Sequence, residues 1–392
     1  MKKLTAVASI ALVALFNAHP GAHDAPAAPD LATPAGVLQF ISSHRQDSSL
    51  VAYSVAADGT IDRADTVIAH NADQPMPLAS TIKIITLAAY AREVAAGRID
   101  PAERIPVDAW ERFYQPGFDG LAHPTALVAY FGLGIDDLGF AADRQATVAL
   151  DDLVAVMLQF SDNAAADYLL NRFGAGAMRA VIREGRLTGQ ELPQPIVGLF
   201  LSWANHEMGD PSWKDVWRLV TMAPRKYAAR VSMLANRYAH DEAWRADELA
   251  WIVSNPDISF DRSAVLANRL FPAGTARDYA RIMAHVMTGT FISPDVSAIM
   301  RRQLEWPLRY IPAPFSAWGH KGGSLSGVLT DANYFVPLEG DFAGRRRVAV
   351  LFLRNLSEAE SIEFARTTGQ NLFDRELASS AAFAARVARI LR

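Results

Sequence analysis

Pro77-Leu78-Ala79-Ser80-Thr81-Ile82-Lys83-Ile84-Ile85-Thr86-Leu87-Ala88-Ala89 is the stretch on which the reading of this chain turns. Pro75 and Pro77 stop regular structure, and the pattern then predicts a helix from Ser80 to Ala96, closed by Gly97. That helix is apolar almost all round, which marks it as buried. Ser80 and Lys83 stand three apart and so share one face, a turn apart. Lys83 becomes a charge inside an apolar helix, and lysine is almost never fully buried without a partner. Burial disfavours the ammonium form and makes the side chain useful as a base. A serine beside such a lysine at a helix N-terminus is an activated nucleophile, with backbone N–H groups at hand for an oxyanion. The same residues also read as an N-capping serine and a lysine that snorkels to water. The tetrapeptide alone leaves both readings open.

Two further stretches carry chemistry-bearing residues. Ser161-Asp162-Asn163 lies between two helical patterns, Leu150 to Phe160 and Ala164 to Phe173. Ser, Asp and Asn are favoured helix caps; they are also a hydroxyl for proton transfer and an amide for substrate binding. His320-Lys321-Gly322-Gly323-Ser324 precedes a strand pattern at Val328 to Val336. Paired glycines let a backbone approach a neighbour closely. The adjacent lysine can hold a substrate carboxylate or simply face solvent.

The surroundings limit the function classes. The chain has 392 residues, half of them hydrophobic (51%), with 24 Gly and 21 Pro, which excludes a disordered tail, a collagen-like fibre and a coiled coil. The length allows a large core in one large domain or two closely packed ones. Lys+Arg 38 against Asp+Glu 42 leaves a net charge of -4, so no basic excess draws in nucleic acid by counterion release. The absence of Cys removes disulfides, thiolate-bound metal and cysteine nucleophiles together. Met1-Lys2-Lys3 followed by the apolar run Leu4 to Phe16, then small residues and prolines, has the layout of a secretory signal peptide over 1–27. Ala25-Pro26-Ala27 offers a cleavage pattern, with Ala22 as the alternative. No Cys follows to carry a lipid, and no later run is apolar enough to span a bilayer. The expected product is periplasmic or secreted, with no stable membrane anchor after cleavage.

The element pattern predicts an α+β fold for 34–392. Pro34 to His44 reads as a helix, Leu50 to Val55 as a strand, Ala57-Asp58-Gly59 as a hairpin turn and Thr66 to Ala69 as the returning strand. Pro101 to Arg144 reads as loop-rich. A Trp-containing stretch from Glu184 to about Leu270 shows helical patches and no sheet signal. Val328 to Val336 and Arg347 to Leu353 read as strands, and Ala359 to Leu391 as mostly helical. The simplest packing is an antiparallel sheet built from both chain ends. Terminal helices then cover one face and a helical lobe the other, with a cleft between lobe and sheet.

Taken together, Ser80–Lys83, Ser161–Asn163 and Lys321–Gly323 follow the order S-x-x-K, S-D-N, K-T-G of the penicillin-recognising serine hydrolases. Pro77 to Lys83, Ser161 to Leu170 and Thr275 to Arg281 further resemble segments of class A β-lactamases, and the likeness covers most of 34–185 and 270–392. The resemblance implies Ser80 as the nucleophile of an acyl-enzyme, Lys83 as its base or proton relay, and Ser161 as the shuttle to the leaving nitrogen. It implies Asn163 on the substrate amide, Lys321 on the substrate carboxylate, and an oxyanion hole from the N–H groups of Ser80 and Ser324 beside Gly323. No metal or organic cofactor is implied; the partner is a small molecule, a β-lactam or a peptidoglycan stem peptide. Two departures stand out. Gly322 replaces the hydroxyl residue usual in the third motif, with Ser324 or Ser326 as substitutes. The glutamate that activates water for deacylation has no Glu-x-x-Leu-Asn pattern to carry it; Glu191 is the nearest candidate, then Glu184 and Glu207. The stretch from about 193 to 254 reads as a helical insert reshaping one wall of the cleft. The resemblance admits three functions: a β-lactamase, a D,D-peptidase or esterase of the same fold, and a non-catalytic β-lactam or cell-wall sensing module.

Overall fold

Strand β1 (Ser48–Val55) is buried along its whole length, and its side chains alternate between two separate cores. Val51, Tyr53 and Val55 enter the larger core, while Leu50 and Ala52 enter the smaller one. This is the period-2 geometry of a strand covered on both faces. The computed structural model describes residues 29–255 and 258–392. The signal segment expected at 1–27 lies outside them, as do residues 256 and 257.

Helix α1 (Pro34–Ser43) precedes β1, and Thr33 caps it by accepting from Gly36 N. The returning strand expected at Thr66 to Ala69 is split in two. β2 (Ile61–Asp62) pairs with the end of β1, and β3 (Ile68–His70) pairs with its start. The predicted helix from Ser80 begins as a tight 3₁₀ turn, Ala79–Ile82, and becomes α2 (Lys83–Ala95). Every residue of α2 from Lys83 to Ala91 is buried. Ile84, Ile85 and Leu87 each contribute roughly 1.5–3 kcal/mol by leaving water, which offsets the cost of enclosing one lysine.

Helices α3 (Leu150–Gln159) and α4 (Asn163–Glu184) flank the second motif, and α4 runs well past the predicted end. It continues across a kink at Gly174, whose φ of 73° leaves the helical region. The stretch read as an insert folds as α5 (Ile196–Trp203), α6 (Trp213–Val220), α7 (Pro224–His240) and α8 (Glu242–Ser254). α5 and α7 meet closely because Gly198 has no Cβ: one placed there would lie 2.2 Å from Val231 O. The lobe continues through α9 (Phe260–Leu270), α10 (Ala276–Thr288) and α11 (Pro294–Leu304).

The chain then returns to the sheet through β4 (Phe315–Leu325), β5 (Val328–Pro337) and β6 (Arg347–Leu353). The strands lie in the order β2-β1-β6-β5-β4, with β3 also on β1, and every pairing is antiparallel. The third motif therefore lies inside the edge strand β4, whereas the sequence placed it ahead of a strand. Its two glycines erase the hydrophobic alternation by which a strand is recognised. Helices α12 (Glu358–Thr367), α13 (Gly369–Ser379) and α14 (Ala381–Leu391) finish the chain. With α1 they cover the sheet face carrying Leu50, Ala349 and Leu351. The central helices cover the opposite face. This is the predicted α+β arrangement of a sheet from both chain ends and a helical lobe.

Candidate active site

The three motifs converge where the lobe meets β4. Ser80 and Ser161 are half-buried, and Lys83 and Lys321 are buried beneath them. Lys83 Nζ lies 3.1 Å from Ser80 Oγ, 3.2 Å from Ser161 Oγ and 2.7 Å from Asn163 Oδ1, and it also donates to Ser161 O. From the other side Lys321 Nζ donates to Ser161 Oγ at 3.0 Å and to Gly322 O at 2.7 Å. Asn163 Nδ2 donates to Phe118 O at 3.2 Å. The snorkelling alternative for Lys83 is thus excluded: its ammonium is spent on the serines.

Burial pushes Lys83 from 10.5 down to about 8, with Asp162, Asp167 and Asp119 working in the opposite direction. A lysine in that range has a usable neutral fraction near pH 7. Lys321 is also pushed well down, first by burial and then by the charge of Lys83, with Asp331 opposing. Two lysines around one hydroxyl cannot both remain charged at no cost, and the charge of Lys83 bears on Lys321.

Local geometry holds these groups in place. Ala79 (φ 45°) and Ser161 (φ 69°) are non-glycine residues in the left-handed region, each storing roughly 1–2 kcal/mol. One strained residue immediately precedes Ser80 and the other is Ser161 itself. Asp162 caps α4 by accepting from Ala165 N at 2.9 Å, so the cap reading of the second motif holds for Asp162, while Ser161 and Asn163 on either side of it hydrogen-bond Lys83. Thr330 of β5 donates to Leu78 O at 2.8 Å and lies 2.7 Å from Thr81 Oγ1, joining the serine turn to the sheet. Gly323 lies directly against that turn: a Cβ there would be 2.4 Å from Ser80 N and 2.9 Å from Thr81 N. Strand β4 therefore reaches the amide of Ser80 only because residue 323 is glycine, and the exposed Ser324 follows it. Gly322 is less constrained, its missing Cβ facing the His320 ring at 3.4 Å. Ser326 is occupied by a hydrogen bond from Ser263 at 2.7 Å. His320 faces Asp331 and Asn333 of the neighbouring strand at 3.0 and 2.9 Å, a structural arrangement.

The structure does not bring Glu191 into this cluster. Its exposed carboxylate accepts from Ala273 N at 2.9 Å, tying its loop to the strand segment Ala273–Gly274. Glu184 is held by Arg92 at 2.7 Å and Glu207 by Arg237 at 2.8 Å, both at the surface. In each case a backbone amide or an arginine claims the carboxylate, which the sequence could not display.

The carboxylates that do act on Lys83 are aspartates: Asp162, read from sequence only as a cap, and Asp167 and Asp119, which sequence reading passed over. Asp167, one turn beyond Asn163 on α4, is buried and accepts from Ile196 N and Val197 N, both at 2.7 Å. Burial raises it to about 7 against those two bonds. Asp162 Oδ2 lies 3.0 Å from Nδ1 of the fully buried His123, whose Nε2 faces Glu111 at 3.4 Å. Burial works to lower His123, but Asp162, Glu111 and Asp119 outweigh it and push the imidazole up to about 9. Asp119 accepts from His123 N at 2.7 Å through Oδ2. Burial and the charge of Asp162 raise it to about 6, against His123 and Lys83. Asp119 stands in the glycine-flanked stretch Gly117-Phe118-Asp119-Gly120 of the loop-rich region, which no spacing rule singles out.

Among the described residues no cluster of three or more His, Cys, Asp or Glu could hold a metal ion. What remains is a serine, two lysines and a second hydroxyl, arranged for acyl transfer to serine.

Comparison with known proteins agrees with this architecture. Residues 40–375 match the family described as the beta-lactamase enzyme family. In fold the chain is similar to a beta-lactamase from Sphaerobacter thermophilus DSM 20745, at 18% identity over 87% of this chain and 96% of that one, with a TM-score of 0.52. It is similar also to the protein L2, solved in complex with relebactam, at 16% identity over 89% of this chain and 99% of that one, with a TM-score of 0.51. No curated protein matches it in sequence. At such identities the solved structures speak for the fold alone, and the family match, which spans most of the chain, speaks for descent: the chain belongs to the beta-lactamase enzyme family and has a β-lactamase fold.

Proposed function

We propose that this chain is an exported serine hydrolase of the class A β-lactamase type, opening β-lactam amide bonds through an acyl-enzyme on Ser80. The observation that carries the reading is the unbroken path Ser80 Oγ, Lys83 Nζ, Ser161 Oγ, Lys321 Nζ, with steps of 3.1, 3.2 and 3.0 Å. Neutral Lys83 takes the proton of Ser80 as its oxygen attacks the lactam carbonyl. The developing oxyanion lies toward the amides of Ser80 and Ser324, beside the gap left by Gly323. Collapse of the tetrahedral centre breaks the C–N bond, and Ser161 hands the proton from Lys83 to the leaving nitrogen. Lys321 orients Ser161 and attracts the substrate carboxylate. The free N–H of Asn163 Nδ2 is available to the substrate amide. Export rests on the signal-like segment 1–27.

The test is hydrolysis of a chromogenic cephalosporin. The wild type is expected to turn it over, and Ser80→Ala to reduce the rate by at least about 10³-fold; no adduct and no turnover by the wild type would end the proposal. One observation favours a second reading, a D,D-peptidase of the same fold acting on stem peptides: the Glu191 carboxylate accepts from Ala273 N and, among the described residues, makes no hydrogen bond to Ser80, Lys83 or Ser161. In that case a penicillin adduct on Ser80 persists for hours, while a D-alanyl-D-alanine peptide is cleaved.

A further inference from the structure

Three carboxylates, Asp119, Asp162 and Asp167, act on the charge of Lys83. Both oxygens of Asp162 are engaged, by Ala165 N at 2.9 Å and by His123 Nδ1 at 3.0 Å. Both oxygens of Asp167 are engaged, by Ile196 N and Val197 N. Asp119 differs. Its Oδ2 accepts from His123 N at 2.7 Å, but its Oδ1 is sealed from bulk solvent and has no donor among the described residues.

Its position is equally specific. The preceding carbonyl, Phe118 O, accepts from Asn163 Nδ2, and Asn163 Oδ1 accepts from Lys83. One hydrogen-bonded chain thus joins the Asp119 backbone to the base beside the nucleophile. The segment is braced from behind by the helical insert: Phe118 meets Phe200 of α5 with ring centroids 5.3 Å apart, and Tyr238 OH of α7 donates to Tyr114 O. We propose that Asp119 is the carboxylate that activates water to deacylate Ser80, in place of a glutamate such as Glu191, Glu184 or Glu207.

The step balances as an ester hydrolysis. Asp119 Oδ1 takes one proton from water, and the hydroxide oxygen bonds to the acyl carbon. Collapse of the tetrahedral centre expels Ser80 Oγ; the proton that Asp119 took passes to Ser80 through Lys83, which ends neutral as it began, and the product leaves as a carboxylic acid. Shielding Oδ1 from bulk solvent keeps the base in an environment where one water is the available proton source. The charged and titratable groups facing Asp119 are Lys83 of α2, Asp162 ahead of α4, and His123 and Tyr114 of its own segment. Together they leave it ionised above about pH 6, which suits a base working near neutrality.

This inference rests on the acyl-enzyme reading, and one experiment separates the two. Wild type, Asp119→Asn and Asp119→Glu are mixed with benzylpenicillin, and intact mass is followed with time at pH 5 to 8. The wild type is expected to acylate and return to free enzyme, with a deacylation rate that rises through about pH 6. Asp119→Asn is expected to acylate within about tenfold of the wild-type rate, which also reports an intact fold, but to hold the adduct roughly 10²–10⁴-fold longer with no rise near pH 6. Asp119→Glu is expected to recover part of the deacylation rate with the pH limb displaced, which a merely structural role would not produce. Unchanged deacylation in Asp119→Asn, or a wild-type adduct that never leaves, overturns the role of Asp119 while the role of Ser80 stands. A wild type that forms no adduct overturns both.

Discussion

Lys83 is the residue on which the chemistry depends, and it shows how the site is powered. Removing its ammonium from water costs on the order of 3 kcal/mol, from the fall between 10.5 and about 8. The apolar face of α2 supplies that energy, and the site keeps it as basicity placed 3.1 Å from Ser80. Acylation needs the neutral amine, so its rate should rise with pH through about 8 and level above it. Stopped-flow measurement of acylation between pH 6 and 9 checks this, and a flat profile would remove Lys83 from the role of base. Lys83→Arg should fall by at least about 10²-fold at every pH, because a guanidinium keeps its charge throughout. The limb expected from Asp119 lies near 6 and belongs to deacylation, so the two groups are distinguishable by pH alone.

At the scale of elements, the site is made by the approach of one strand to one helix start. β4 comes close enough for Gly323 to lie against the amides of Ser80 and Thr81, and no side chain fits between them. Gly323→Ala should push β4 away, lower acylation by roughly 10²–10³-fold through loss of oxyanion donors, and cost about 1–3 kcal/mol of stability. Gly322→Ala meets nothing nearer than 3.4 Å and should leave the melting temperature unchanged. Equal melting temperatures for the two variants would contradict this account of the contact. The motifs bearing Ser80, Lys83, Ser161 and Lys321 were legible because each is a local pattern. Ser and Lys one turn apart need no knowledge of the fold. β4 itself was not legible as a strand, since Gly319, Gly322 and Gly323 remove the side chains whose alternation would announce it. The return through β2 and β3 was blurred for a related reason: Asp62, Arg63, Ala64 and Asp65 carry no apolar face.

The whole molecule is two cores on either side of one sheet, with a buried charge cluster under the cleft. His123 joins Asp162, Glu111 and the Asp119 segment inside the lobe, far from water. Its folded value, about 9, stands above the ordinary 6.5. The stability it contributes is therefore fully present below about pH 6.5 and is lost as pH rises through 9, an amount on the order of 3 kcal/mol. Asp167, raised to about 7, acts in the same direction as pH rises toward neutrality. Thermal unfolding should show the melting temperature falling between pH 6.5 and 9. His123→Leu, which leaves Asp162 and Glu111 buried without their partner, should lose about 3–5 kcal/mol at pH 6 and show a flatter pH profile. A wild-type profile that rises over this range would remove His123 from the account. Sequence by itself determined the α+β class and singled out Ser80, Lys83 and Ser161, which the fold brings within hydrogen-bond distance of one another. These follow from short-range spacing and from hydrophobic periodicity, both of which are properties of neighbours along the chain. Only the tertiary structure decided which carboxylates face the lysine. A carboxylate's role depends on which amide or cation reaches it first. For Glu191, Asp167 and Asp119 those competitors come from residues 82, 29 and 4 positions away in the chain, so composition and spacing carry no trace of the outcome.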